Sequence, residues 1–417
     1  MPRGTTHGLA KATTKGEDNY AVLKSDDPEG TSVFSVFDGH GGKHSCTLAA
    51  KQLAPALQDL GAATSNGEIE NSFWMMDSVI AESTGAKDGS TATILLVANS
   101  DQRSPSRGGP GGGLTCTMAW VGDSVGVAAV LDHEGAHIIA QTSAHTTTDE
   151  AEQTRLKQMW QVQRAMRLDA AQKRQEGTVS EDDHPNGLPE ALSPEEVVEI
   201  AKSCEVSLSM TEAKLMLRAI DRGNRIDMEK FGTMDHSVAL TSVLAPRHPG
   251  GKPVLHKVKQ NVVEKYSDVT AEIDLSEHSR TLPGAQAVDK RYLTETGNLK
   301  SVSTCVTRAL GDWDGSRALV PHPEVLRFAV GPQACVRVVL ASDGLWDFVT
   351  PEEAVTSVLA TTSDVTKCAE KLLEKARDRS NRKFNELKDD ITVVVVELNP
   401  SGLPPPLKKE GGCCVVS

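Results

Sequence analysis

Two apolar runs far apart in the chain end in the same dipeptide. Val33-Phe34-Ser35-Val36-Phe37 leads into Asp38-Gly39-His40-Gly41-Gly42, and Val338-Val339-Leu340-Ala341 leads through Ser342 into Asp343-Gly344. Runs of β-branched and aromatic residues read as strands, so each Asp-Gly places a carboxylate at a strand terminus, beside a residue that lets a ligand approach the backbone closely. Two further segments repeat the arrangement: Lys388-Asp389-Asp390 stands before Ile391-Thr392-Val393-Val394, and Gly16-Glu17-Asp18 before Asn19-Tyr20-Ala21-Val22. One such segment alone is an ordinary turn. Four in one chain point to a carboxylate-lined metal site, and hard oxygen donors without a Cys or His cluster favour magnesium or manganese over zinc.

The 417 residues can bury an ample core as one large domain with an insertion, or as two or three smaller ones. Eight cysteines are scattered, with only Cys413-Cys414 adjacent, and no signal peptide is read, so reduced cytosolic thiols are expected rather than a disulfide framework. A net charge of −13 argues against a nucleic-acid-binding surface, which needs concentrated Lys and Arg. No apolar stretch approaches the roughly 20 residues that span a bilayer, so membrane contact would have to come from an anchor.

Along the chain, residues 32–37 and 92–98 read as strands, 43–60 as an amphipathic helix, 101–114 as a Gly/Pro/Ser-rich loop, and 114–121 as a strand that closes a hairpin across it. From about residue 149 the sequence becomes charged and helix-prone. Ser193-Pro194-Glu195-Glu196 is a helix start with Ser as N-cap, and a second helix is expected over residues 211–220. It runs into Asp221-Arg222-Gly223-Asn224-Arg225-Ile226-Asp227, which resembles a degenerate EF-hand loop. With Ile226 in the eighth position, Ala219 is first and Lys230 twelfth, where calcium needs Asp and Glu, so no calcium is expected. A small structural or partner-binding helical insert and an ordinary helix-turn-helix are both open. Residues 235–300 carry no functional reading. Helices are expected over 351–359 and 363–377.

Seven motifs in order resemble the type 2C metal-dependent Ser/Thr protein phosphatases. They are Gly16-Glu17-Asp18, Asp38-Gly39-His40-Gly41-Gly42, Asp88-Gly89-Ser90-Thr91-Ala92, Trp120-Val121-Gly122-Asp123-Ser124, Thr307-Arg308-Ala309-Leu310-Gly311-Asp312, Ser342-Asp343-Gly344-Leu345-Trp346-Asp347 and Asp389-Asp390-Ile391-Thr392. The resemblance implies an α+β fold, a central two-sheet antiparallel β-sandwich flanked by helices, split over residues 1–155 and 293–398. Residues 156–292 would be a partly helical insertion and 399–417 a flexible tail. It implies that Asp38 bridges two Mg2+ or Mn2+ ions, that Glu17 and the Gly39 carbonyl hold one, and that Asp343 and Asp389 hold the other. His40 is then a general acid for the leaving Ser or Thr alkoxide, or a residue that orients Asp38. Asp123 binds a third ion or orders water, with a turn role nearly as good. Asp312, Thr91 and Asp347 read as structural. Asp390 competes with Asp389, which is chosen because it opens the family motif.

The chain departs from the family at Thr13, where an Arg often grips the substrate phosphate. Lys11 or Lys15 could supply charge there, without an Arg fork. Val125 and Ala144 depart as well, so the insertion that begins soon after is expected to shape substrate choice. The expected substrates are phosphoproteins. Lys408-Lys409 and the terminal Cys413-Cys414-Val415-Val416-Ser417 resemble a prenylation signal on Cys414, with Cys413 open to palmitoylation, which would place the protein at the cytoplasmic face of a membrane. The rival readings are a catalytically silent scaffold and a hydrolase of small phosphoesters.

Overall fold

The computed structural model describes residues 5–27, 29–61, 64–84, 88–100, 113–133, 135–146, 149–152, 154, 155, 158, 162, 165, 192–203, 205–224, 290–293, 299–302, 306–312 and 319–399. The proposed tail with Cys413 and Cys414 lies outside them, as do most of the insertion and the second half of the EF-hand-like segment. The chain divides into two compact units, one made of residues 1–80, 88–144 and 323–417, the other of 81–87 and 145–322.

In chain order, the described elements begin with β1 (Thr5–Ala12), β2 (Asn19–Leu23), β3 (Ser32–Phe37), β4 (Gly39–His40), α1 (His44–Leu60), α2 (Asn66–Thr84) and β5 (Gly89–Ser90). There follow β6 (Ala92–Asn99), β7 (Leu114–Val121), β8 (Val125–Leu131), β9 (Ala136–Gln141), α3 (Pro194–Ser203), α4 (Met210–Asn224), β10 (Lys290–Leu293), β11 (Leu299–Val302) and β12 (Leu310–Gly311). The last are β13 (Glu324–Val330), β14 (Cys335–Ala341), α5 (Asp343–Trp346), α6 (Pro351–Ala354), α7 (Val365–Phe384) and β15 (Ile391–Leu398).

The first unit is the expected sandwich. One antiparallel sheet runs β1-β15-β14-β8-β9 and the other β13-β7-β6-β3-β2. The hairpin read around loop 101–114 is present, with β6 and β7 paired from Ala92 opposite Val121 to Asn99 opposite Leu114. Alternation explains the continuous apolar runs. Val336, Val338, Leu340, Val394 and Val396 pack with Phe34, Val36, Leu95 and Met118 of the other sheet, whereas Val339, Ala341, Val393 and Val395 pack with Leu345, Leu372 and Ala376. Both faces of β14 and β15 are therefore covered, and each buried Val or Leu contributes about 1.5–3 kcal/mol. Helix α7 presents Val365, Cys368, Ala369, Leu372 and Ala376, a helical stripe that lies on β1 and β15. Asp364 caps it by accepting from the Lys367 amide at 2.9 Å, and it extends to Phe384, past the expected end near residue 377. The helix expected over 351–359 is α6 followed by one π-helical turn, Val355–Leu359.

In the second unit, α3 and α4 both begin with a reciprocal cap. Glu196 and Glu212 return bonds of 2.7 and 2.6 Å to the Ser193 and Ser209 amides, while their own amides bond the serine hydroxyls at 3.2 Å. Helix α4 continues to Asn224, through the first six positions assigned to the EF-hand-like loop. Those positions are thus helical, because the α4 pattern carries through Asp221 and Gly223.

Buried Glu152 accepts from Arg308 at 2.6 and 3.0 Å, from Arg155 at 2.9 Å and from the Thr307 hydroxyl at 2.5 Å. Burial alone would raise its carboxyl, but Arg155 and Arg308 outweigh burial and hold it well below the usual range. Burial, then the charges of Arg308, Arg155 and Arg218, pulls His322 from 6.5 down to about 4. The unfolded chain therefore binds more protons than the folded one over that interval, so stability falls as pH falls from 6.5 towards 4. Glu152 adds loss in the same direction at lower pH. His322 alone should cost about 2 kcal/mol between pH 7 and 5. Thermal melts at those pH values should show a drop that His322→Gln flattens.

Candidate metal centre

Asp38 follows β3, Asp123 lies in the turn between β7 and β8, and Asp343 follows β14 as the first residue of α5. One carboxylate oxygen from each lies within 4.8 Å of the others. Strands of both sheets thus end at one point, and Asp123, the weakest of the sequence-based ligands, belongs to the tightest group. The backbone is pinned around it. The Asp38 amide donates to the Thr91 hydroxyl at 3.0 Å, the Thr91 amide returns a 2.8 Å bond to the Asp38 carbonyl, and the hydroxyls of Thr91 and Ser124 meet at 2.7 Å. Thr91 is structural, as read, and it ties the Asp38 and Asp123 turns together.

Gly39 and Gly344 are required by close approach. A Cβ at Gly39 would lie 2.5 Å from the Glu17 carbonyl oxygen, and one at Gly344 only 2.0 Å from the Asp390 carbonyl oxygen. The acid motifs therefore pack backbone to backbone in two pairs, Glu17 with Asp38-Gly39 and Asp390 with Asp343-Gly344.

Asp390 is a clamp. Its carboxylate accepts from the amides of Lys15 at 2.8 Å, Glu17 at 2.6 Å and Asp18 at 3.3 Å, and also from that of Thr14. Burial works against ionisation, but these donors outweigh it and keep Asp390 below the ordinary carboxylate range. Asp389 is differently engaged: Oδ1 accepts from the Asp390 amide at 2.8 Å, and Oδ2 pairs with Lys15 Nζ at 2.7 Å. Neither Glu17 nor Asp389 belongs to the 4.8 Å group, but the charge of Asp389 acts on Asp38 and also on Glu17.

The electrostatics favour a cation. Burial, then the charges of Asp343, Asp18, Asp123 and Asp389, pushes Asp38 well above the usual carboxylate range. Burial likewise raises Glu17, against the pull of Lys15 and His40. Asp18, which sequence reasoning passed over, is buried and raised by burial, and Oδ2 accepts from Ser342 at 2.8 Å. Its Oδ1 has no hydrogen-bond partner among the described residues. A clustered set of hard oxygen donors with one buried oxygen left over fits a divalent ion of the Mg2+ or Mn2+ kind. The only advance signal for Asp18 was its place beside Glu17 at the start of β2.

His40, on β4, acts electrostatically on Glu17. Lys11 donates to the Asp18 carbonyl at 2.6 Å. Cys46 donates to the Glu17 carbonyl at 2.8 Å, and burial pushes its thiol up to about 11. Asp312 is fully buried in the second unit.

The family model described as Protein phosphatase 2C matches residues 7–164 and 296–383, more than half of the chain. The chain belongs to the protein phosphatase 2C family. It is 42% identical over 93 residues to "Probable protein phosphatase 2C 74" of Oryza sativa subsp. japonica, a match covering 22% of each chain. It is 36% identical over 110 residues to "Probable protein phosphatase 2C 5" of Arabidopsis thaliana, covering 25% of this chain and 24% of that one. The matches thus span about a quarter or less of these relatives. The solved serine-threonine phosphatase 2C from Toxoplasma gondii has 15% identity and a TM-score of 0.47, over 95% of this chain and 96% of that one. The 2C motifs singled out in the sequence include all three acids of the tight group.

Proposed function

We propose that the protein is a Mg2+- or Mn2+-dependent protein serine/threonine phosphatase. The observation that carries this reading is the convergence of Asp38, Asp123 and Asp343 within 4.8 Å, from strand ends of both sheets. Asp38, Glu17, the Gly39 carbonyl, Asp343 and Asp389 would hold the ions, and Asp123 would hold a further ion or order water beside them. When bound, such ions supply an acidified water and neutralise charge on the phosphoryl oxygens. The chain's own residues do the rest. Asp390 and Thr91 fix the backbone of the ligand turns, and His40 gives a proton to the departing alkoxide, which is a poor leaving group without one.

The test is hydrolysis of a phosphoserine peptide and of a small aryl phosphate by the full chain, with Mn2+ and with chelator. Manganese-dependent release of phosphate from the peptide, faster than from the aryl ester, is expected. Absence of turnover in a folded, metal-binding protein would favour the silent scaffold, and preference for the aryl ester would favour a small-phosphoester hydrolase.

The proposed membrane association rests on the tail and requires Ser417 to be the terminal residue. No helix among the described residues is long and apolar enough to cross a membrane. One lipid chain binds a bilayer marginally, so a farnesyl on Cys414 would need Lys408, Lys409 or an acylated Cys413 beside it. Cys414→Ser should release the expressed protein from the membrane fraction, and an unaltered distribution would remove the proposal.

A further inference from the structure

Among the described residues, two lysines reach the acids of the candidate metal centre in different ways. Lys11 is committed to the Asp18 carbonyl. Lys15 has a fixed backbone and a movable head. Its amide is held by Asp390 at 2.8 Å, while its side chain is 49% exposed and its ammonium pairs with Asp389 Oδ2 at 2.7 Å. The other oxygen of Asp389 is occupied by the Asp390 amide. The ammonium thus sits on the one Asp389 oxygen that no backbone donor holds, within the field of Glu17 and Asp38.

The geometry points to Lys15 as a substrate-positioning residue that alternates between two anions, Asp389 Oδ2 before a divalent ion claims that oxygen and the substrate phosphoryl group afterwards. The inference rests on Asp389 as a metal ligand and on the phosphatase reading above. An ammonium on a four-carbon stem is a point charge with three donors, so it can exchange one anionic partner for another by rotation, with no change in the fold around it. The exchange has two consequences. An ion entering at Asp389 must displace Lys15, which weakens its binding, and the displaced ammonium is delivered to the centre when the phosphoryl group arrives. Metal and phosphate binding become coupled through one side chain, and the coupling is reciprocal.

Lys15→Met and Lys15→Arg in the full chain test this with two independent measurements. Calorimetric titration with Mn2+ alone should give about three- to fivefold tighter binding at one site in Lys15→Met, the range for removing a half-exposed pair. At saturating Mn2+, KM for a phosphoserine peptide should rise about tenfold in Lys15→Met, with kcat within about twofold of wild type, because a ground-state and transition-state contact is lost together. Lys15→Arg should restore KM. Unchanged Mn2+ affinity in Lys15→Met overturns the proposal, and so does unchanged KM. If the wild type shows no turnover, the phosphatase reading fails by itself. Lys15 is then judged by Mn2+ affinity and by inorganic phosphate binding to the Mn2+-loaded protein, where equal values in wild type and Lys15→Met overturn it.

Discussion

Asp343→Asn is expected to raise the melting temperature of the metal-free protein while abolishing its response to Mn2+. Burial and then the charge of Asp343 are the leading causes of the raised carboxyl of Asp38. A carboxylate raised in the folded state stabilises the fold below its unfolded value, and that contribution is lost as pH rises through the folded one. At neutral pH the cluster therefore carries like-charge strain. Removing one charge should relieve about 1 kcal/mol, or roughly 2–4 °C for a unit of this size. The loss of an acid from the first turn of α5 opposes this, but attraction at the end of a four-residue helix amounts to only a few tenths of a kcal/mol. Mn2+ should raise the wild-type melting temperature and leave that of the variant unmoved, and any Mn2+-dependent turnover should fall by about a thousandfold or more. A variant whose metal-free form melts lower than wild type, yet still responds to Mn2+, would remove Asp343 from the ligand set.

The larger stability effect is expected on the same strand. Arg337 on β14 is 1% exposed and lies directly opposite Glu397 of β15, paired at 2.5 and 2.7 Å. Its other donors reach the carbonyls of Leu359 at 2.6 Å and Ser363 at 3.1 Å, and that of Thr362, so it also pins the chain between the π-helical turn and α7. Arg337→Ala leaves a buried carboxylate and three carbonyls without their donors, at a cost of about 3–5 kcal/mol. That corresponds to about 10 °C in melting temperature. Glu397→Ala should cost nearly as much, by stranding the guanidinium. The double variant Arg337→Met with Glu397→Leu should cost less than the sum, because each single change leaves a buried charge unpaired and the double leaves none. Additive losses would mean that Arg337 acts through the carbonyls alone.

The strands were legible because β-branched runs bounded by Asp, Gly and Pro admit few other conformations, and the acids at their ends were legible for the same reason. Arg337 was not legible as a buried ion, since a single charge inside an apolar strand says nothing of its cross-strand partner. Asp123 was underrated because Gly-Asp-Ser is a common turn, and only the β7–β8 connection between the two sheets brings it to Asp38. Asp18 and Asp390 each stand beside a better candidate in an acidic pair. Which member of such a pair turns inward depends on strand register, and a one-residue shift would exchange them. In α4, Asp221, Gly223 and Asn224 belong to the EF-hand-like segment, but propensity costs of a few tenths to about 1 kcal/mol do not stop a helix whose start is capped.

Because β15 lies between β1 and β14, and Asp390 accepts from the amides of Thr14, Lys15, Glu17 and Asp18, the first acid motif takes its place only once β15 is in the sheet. The ordering of Glu17, Asp18 and Asp389 is thereby tied to one contact between segments far apart in the chain.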